Sequence, residues 1–172
     1  NPYIHEELAR TAFERTLETS NSAFDNYNSG KDTTQFSIAA QRGQQIFNVK
    51  GKCFDCHFGP DFTNDFFRNI GLFNGKDLND SGRFVVTRDP QDIGRFKTPG
   101  LRNIAMTAPY MHNGMFKTLK EVIDYYNEPD KIIANSFNRD TSMAKPLGLT
   151  EQEKKDLEAF MLSLTDERFM KK

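Results

Sequence analysis

Apolar residues recur with helical spacing in several stretches of the chain. From Pro2 to Leu17, Ala9, Ala12, Phe13 and Leu17 form a stripe among charged neighbours, and Pro2 suits a first helical turn. Ser20-Asn21-Ser22 reads as a polar turn that ends this helix, and Asn26 to Lys31 reads as a loop. A second helix is predicted over Ser37 to Asn48, where Ala39, Ala40, Gly43, Ile46 and Phe47 recur at three- and four-residue spacing. Gly43 weakens that helix but lets another approach closely. Leu101 to Met106 carries a shorter helical signal. Thr118 with Glu121 makes a capping box ahead of Leu119, Val122, Ile123 and Tyr126, which share one face. On that phase Tyr126 faces the core and Tyr125 is turned roughly 100° away. A last capping box, Thr150 with Glu153, opens a helix with the stripe Leu157, Phe160, Met161 and Leu164.

Between Phe58 and Phe96 the periodicity fails. Gly59-Pro60, Asn74-Gly75, Asp80-Ser81-Gly82 and Asp89-Pro90 punctuate this segment as turns, and only Arg83 to Thr87 reads as a short strand. So long an element-poor stretch is either disordered or wraps something. Phe54, Phe58, Phe62, Phe66, Phe67 and Phe73 favour wrapping. The fold class expected is mainly α with long irregular loops, in one compact unit over residues 1–172, with residues 1–31 as an N-terminal helix and linker.

Composition narrows the partners. The 172 residues carry 23 Lys+Arg against 24 Asp+Glu, a net charge of -1, and the longest basic cluster is Lys171-Lys172, so a nucleic-acid partner is not expected. Mean hydropathy is -0.69. No run approaches the roughly 20 apolar residues of a membrane span, so no membrane insertion is expected. A chain opening Asn1-Pro2-Tyr3 without Met is expected to have been cut there. Sixteen Phe with no Trp in a chain poor in aliphatics fit either a bulky buried cofactor or an aromatic-rich core.

The two cysteines stand as Cys53-Phe54-Asp55-Cys56-His57, a CxxCH sequence that reads as c-type haem attachment. Two thiols at this spacing reach the two vinyl groups of one porphyrin, and the adjacent imidazole reaches the iron. A redox or zinc CxxC is the competing reading, but it wants a βαβ context or a second ligand pair. The iron's other axial position decides between catalysis and electron transfer. The candidates lie downstream: thioethers from Met106, Met111 or Met115, the imidazole of His112, or a phenolate from Tyr125 or Tyr126, with helical phase favouring Tyr126. Arg102 and Lys97 are candidates, by charge and location, for pairing with haem propionates. His112 is expected to order the loop near the haem edge, and His5 to face solvent.

The run from Gly94-Arg95-Phe96-Lys97-Thr98-Pro99-Gly100-Leu101-Arg102-Asn103 through Pro109-Tyr110-Met111-His112-Asn113-Gly114 resembles the signature of bacterial di-haem cytochrome c peroxidases and the related MauG enzymes. Ala12 to Leu17, Arg42-Gly43 to Phe47, Cys56-His57-Phe58-Gly59-Pro60, and Leu149-Thr150 to Leu164 match that family in its order. The match covers nearly the whole chain, but only the family's C-terminal half, because its members carry two CxxCH motifs in about twice the length. The resemblance implies a cytochrome c-like haem domain with one covalent haem c, which passes electrons to a peroxide-reacting haem in a missing N-terminal domain. Hydrogen peroxide and a small electron-donor protein or protein substrate are the implied partners. Covalent haem attachment, taken together with this resemblance to a bacterial family, makes the periplasm the expected compartment. It places a Met in the peroxidase branch, and a Tyr in the MauG-like branch, fourteen positions beyond the His of Pro-Tyr-x-His; here that residue is Tyr126. It also implies a calcium ion between the two haem domains, with backbone carbonyls at Thr107 and Pro109 among its ligands. The alternative function is a mono-haem c-type electron carrier with His/Met ligation.

Overall fold

The structure, a computed structural model, describes residues 2–14, 18–143 and 145–169. Leu17 at the end of the predicted first helix, its neighbours Arg15 and Thr16, the Lys171-Lys172 pair and the side chain of His5 lie outside what is described. The helices in chain order are α1 (Pro2–Glu14), α2 (Ala23–Asn28), α3 (Ile38–Asn48), α4 (Phe84–Thr87), α5 (Leu119–Asn127), α6 (Pro129–Ile132) and α7 (Glu151–Leu162). Two strands, β1 (Phe67–Arg68) and β2 (Phe96–Lys97), pair antiparallel.

The capping signals are realised at the side-chain level. Ser37 caps α3 by accepting from the Ala40 amide, and Thr118 and Thr150 head reciprocal boxes with Glu121 and Glu153. Gly43 lets α3 lie directly on α7, because a Cβ there would stand 1.9 Å from the Asp156 carbonyl oxygen. One residue earlier, Arg42 forks onto the Asp156 carboxylate at 2.7 and 2.8 Å and fixes the same crossing. The Phe-rich composition resolves into a cluster centred on Phe160, which is 1% exposed and meets Phe24, Phe36, Phe47 and Phe62 edge-on at 5.1 to 6.5 Å. A second cluster gathers Leu72, Phe116, Tyr125 and Ile133.

Several expectations are corrected. The predicted strand at Arg83 to Thr87 is the helical turn α4, and Leu101 to Met106 shrinks to a 3₁₀ turn at Ile104–Met106. Residues assigned to a turn, loop and linker contain α2, with Ser22 and Asp25 as its own capping box. Far from being a linker, α2 sends Phe24 into the Phe160 cluster, while buried Ser22 bridges to Asp166. The stripe Ala9, Ala12 and Phe13 on α1 lies at the surface. Of the loop phenylalanines, Phe62 alone joins the buried core, whereas Phe54, Phe58 and Phe66 are exposed. Tyr125, expected to point away, has no exposed surface; α5 is buried on two faces, and Tyr126 takes the one that faces a cavity.

Candidate functional site

The end of α3 builds the attachment turn. Gly51 donates its amide back to the Ile46 carbonyl at 2.7 Å, and Lys52 takes a left-handed φ of 53° that starts the 3₁₀ turn Cys53–Asp55. The amides of Cys56 and His57 both return to the Cys53 carbonyl, at 3.2 and 2.9 Å. This turn brings both thiols and the imidazole to the wall of a cavity of about 520 Å³. The thiols are not bonded to each other. Burial pushes Cys53 up to about 12 and raises Cys56 as well, so both stay protonated at neutral pH.

His57 is oriented from behind. Its Nδ1 lies 2.9 Å from the Phe62 carbonyl oxygen, which can only accept, so Nδ1 carries the proton and the lone pair is on Nε2; the Pro99 carbonyl also interacts with the imidazole. Phe62 itself is fixed by a left-handed φ of 55° and by its ring in the core. Burial holds the imidazole below its ordinary range, favouring the neutral form a metal requires.

Helix α5 contributes Val122, Ile123 and Tyr126 to the same cavity. Burial, with Tyr125 and both cysteines close by, pushes the Tyr126 phenol far up; its proton stays on Oη in this setting unless a cation compensates the charge. Among the thioether candidates, Met111 lines the cavity, while Met106 is exposed and Met115 sits outside the lining. Met143 and Met161, outside the segment the sequence singled out, line it too. His112 lies flat on Phe96, ring centres 3.6 Å apart, with Nε2 at 4.0 Å from Asp80. Thr107 and Pro109 also reach the wall.

Of the two predicted propionate partners, Lys97 lies on the cavity wall and Arg102 does not. Arg102 forks onto Asp25 at 2.9 and 3.0 Å and donates Nε to the Pro60 carbonyl, tying α2 to the loop after His57. Lys97 touches the cavity, but its ammonium pairs with Asp65 at 2.5 Å. Two basic residues on the wall were missed by sequence reasoning: Lys52, beside the attachment turn, and Arg68, paired with Asp140 at 2.9 Å. The signal for Arg68 was the strand register, which two residues per strand do not reveal as a period.

The site fits haem c. Two unpaired thiols, a neutral imidazole with its lone pair on Nε2 and a predominantly apolar cavity within the usual size range of cofactor sites meet in one place. For zinc the match is poor, since no group of three His, Cys, Asp or Glu converges on a metal position among the described residues.

Comparison with known proteins agrees with this assignment. The family described as Cytochrome c matches residues 40–165. The cytochrome-c peroxidase IdrP1 of Denitromonas iodatirespirans is 36% identical over 190 residues, covering 92% of this chain and 49% of the relative. The methylamine utilization protein MauG of Methylorubrum extorquens is 36% identical over 164 residues, covering 95% of this chain and 44% of the relative. Among solved structures, a MauG-like protein associated with microbial copper homeostasis superposes with a TM-score of 0.81 at 34% identity, over 93% of this chain and 56% of that one. The chain thus spans about half the length of these relatives. It belongs to the cytochrome c family, whose members hold haem c covalently, as a domain matching the di-haem cytochrome c peroxidases and MauG proteins.

Proposed function

We propose that this chain is the C-terminal haem c domain of a di-haem peroxidase or MauG-like oxidoreductase, holding one haem and relaying or storing electrons while hydrogen peroxide is reduced at a partner haem. One observation carries the reading: Cys53, Cys56, His57 and Tyr126 line a single apolar cavity. Bound haem c supplies a one-electron iron centre. Cys53 and Cys56 would provide the thioether anchors, and His57 Nε2 and Tyr126 Oη would hold the iron. A phenolate is a harder, anionic donor than a thioether, so it favours oxidised iron and suits charge storage. With two side chains holding the iron, the domain alone would turn over little peroxide.

In this reading the N-terminal haem domain lies outside the chain, the protein works in the periplasm, and an electron-donor protein or protein substrate exchanges electrons with it. A calcium ion held partly by the carbonyls of Thr107 and Pro109 would join the two domains. The second reading, a His/Met electron carrier, draws on Met111 and Met143 at the same cavity.

Mass spectrometry first establishes covalent attachment as the added mass of one porphyrin. Ferric optical and EPR spectra of the haem-loaded protein and its Tyr126→Phe variant then separate the readings. Loss of the low-spin, six-coordinate signature on substitution is the expected result. An unchanged spectrum with a thioether-to-iron charge-transfer band would transfer the assignment to methionine and to plain electron transfer.

A further inference from the structure

Lys52, Arg68 and Lys97 all reach the cavity wall, and the register of β1 and β2 decides how the last two present their charge. Arg68 stands opposite Phe96, and Phe67 opposite Lys97; directly opposed residues share a face of the pair. Phe96 carries His112 flat against its ring, and all three of Arg68, Phe96 and His112 line the cavity. On the other face the Arg83 guanidinium lies 4.3 Å over the Phe67 ring, and Lys97 meets Asp65. The strand pair therefore turns Arg68 inward and the Lys97 ammonium outward.

Arg68 also has donors to offer. A guanidinium carries five N–H groups. Among the described residues the Arg68 side chain, 37% exposed, makes one hydrogen bond, from Nη1 to the Asp140 carboxylate at 2.9 Å, and its buried Nε has no partner. Asp140 does not depend on Arg68 alone, because it accepts from the amide and hydroxyl of Ser142 at 3.1 and 3.0 Å. Both Ser142 bonds reach Asp140 Oδ1 and leave Oδ2 to Arg68 Nη1, so the carboxylate holds one corner of the guanidinium while the remaining N–H groups are suited to a second anion. The planar fork matches a carboxylate in two-point contact, which a lysine ammonium does not.

We propose that Arg68 is the propionate-binding residue of this domain, taking a haem propionate on its unused N–H groups while Nη1 stays on Asp140, and that this charge pair sets the haem's potential. The proposal rests on the haem c reading above. Removing the Arg68 charge favours ferric iron, and removing the Asp140 charge favours ferrous iron.

The test uses haem-loaded protein as wild type, Arg68→Gln, Arg68→Lys and Asp140→Asn, each checked by mass for covalent haem and by circular dichroism for unchanged helix content. Optical redox titration should show Arg68→Gln shifted about tenfold toward the ferric form, or 59 mV for a one-electron couple, and Asp140→Asn shifted in the opposite direction. Arg68→Lys should keep most of the potential yet lose the wild-type position of the propionate-bending bands in the resonance Raman spectrum. A merely structural role would not give shifts of opposite sign that follow charge. Arg68→Gln with wild-type potential and wild-type Raman bands overturns the proposal and leaves the haem reading standing. A chain that never acquires covalent haem overturns both.

Discussion

The hydroxyl of Tyr125 donates to the Ile70 carbonyl at 2.5 Å from a side chain with no exposed surface, while its ring meets Tyr126 edge-on at 5.7 Å. Substituting Tyr125→Phe keeps the ring and strands that carbonyl, so the haem-loaded protein should lose about 1–3 kcal/mol of stability. Denaturant unfolding reads this directly, and an unmoved midpoint would refute the account of the contact. Asp166 makes a second residue-scale prediction. It is 1% exposed, and hydrogen bonds from the Arg168 side chain, outweighing the cost of burial and joined by the Arg168 and Asn21 amides, hold its pKa at about 2, against an ordinary 3.8. A carboxylate depressed in the folded state contributes stability that is fully present above the unfolded value and disappears as pH falls through the folded one. That contribution, about 2 kcal/mol, should fade between about pH 4 and pH 2, and Asp166→Asn should remove this part of the acid transition. A pH titration of stability that is identical in the two proteins would contradict it. Such contacts explain which residue roles were legible. Cys53, Cys56 and His57 are adjacent in sequence and announce their chemistry together. By contrast, Arg68, Lys97 and Arg102 are equivalent as charges, and their roles depend on partners distant in sequence: Asp140 for Arg68, Asp65 for Lys97 and Asp25 for Arg102.

At the scale of elements, the α3–α7 crossing depends on a missing side chain. A Cβ at Gly43 would meet the Asp156 carbonyl oxygen at 1.9 Å and its carbon at 2.6 Å, and backbone cannot rotate aside as a flexible side chain does. Gly43→Ala gains about 1 kcal/mol of helix propensity but forces the helices apart at an overpacking cost of roughly 1–3 kcal/mol or more. The net effect should be destabilising, seen as a lower thermal midpoint of the haem-loaded protein; a raised midpoint would mean the crossing is looser than its geometry implies. The crossing is legible in the sequence, because a glycine inside an apolar helical period weakens the helix and is best accounted for by a close neighbour. Capping boxes at Thr118 and Thr150 are legible for a related reason: they are local, and a long stripe follows each. Helix α2 has a box of the same kind, Ser22 with Asp25, but only six residues, too short for a period to show. Phe84-Val85-Val86-Thr87 misleads in the other direction. Its β-branched residues suggest a strand, yet Val85 and Val86 are exposed and no neighbouring strand pairs with them among the described residues, so the turn hydrogen bonds of α4 prevail.

For the whole molecule, the aromatic surplus serves two structures at once. The cluster around Phe160 is packed by α2, α3, α7 and the loop at Phe62, whereas the cavity wall shares Phe47 with that cluster and draws Tyr126 from α5 and Phe96 from β2. Sequence periodicity identified the α3 and α7 parts of the first set through their stripes, and missed Phe24 on α2 and Phe62 in its loop. It could not show the second, because the cavity is assembled from segments between residues 47 and 161 whose common property is the space they surround. That space has an energetic consequence. The walls around about 520 Å³ are mainly apolar, and without haem they meet water instead of a porphyrin, an unfavourable exposure of roughly 25 cal/mol per Å² of apolar surface. Chain made without covalent haem must therefore either bear this cost or let its walls collapse. The Phe160 cluster gives α3 and α7 a packed core of their own, so helix should survive where the cavity walls do not. A Cys53→Ala, Cys56→Ala variant should accordingly keep much of its far-ultraviolet circular dichroism, lose near-ultraviolet signal, bind a hydrophobic dye and melt without a sharp transition, as expanded compact states do. The haem-loaded wild type should melt cooperatively. If the variant instead melts as sharply as the loaded protein, the cavity is not what limits the fold, and the aromatic core alone would be sufficient to hold the domain together.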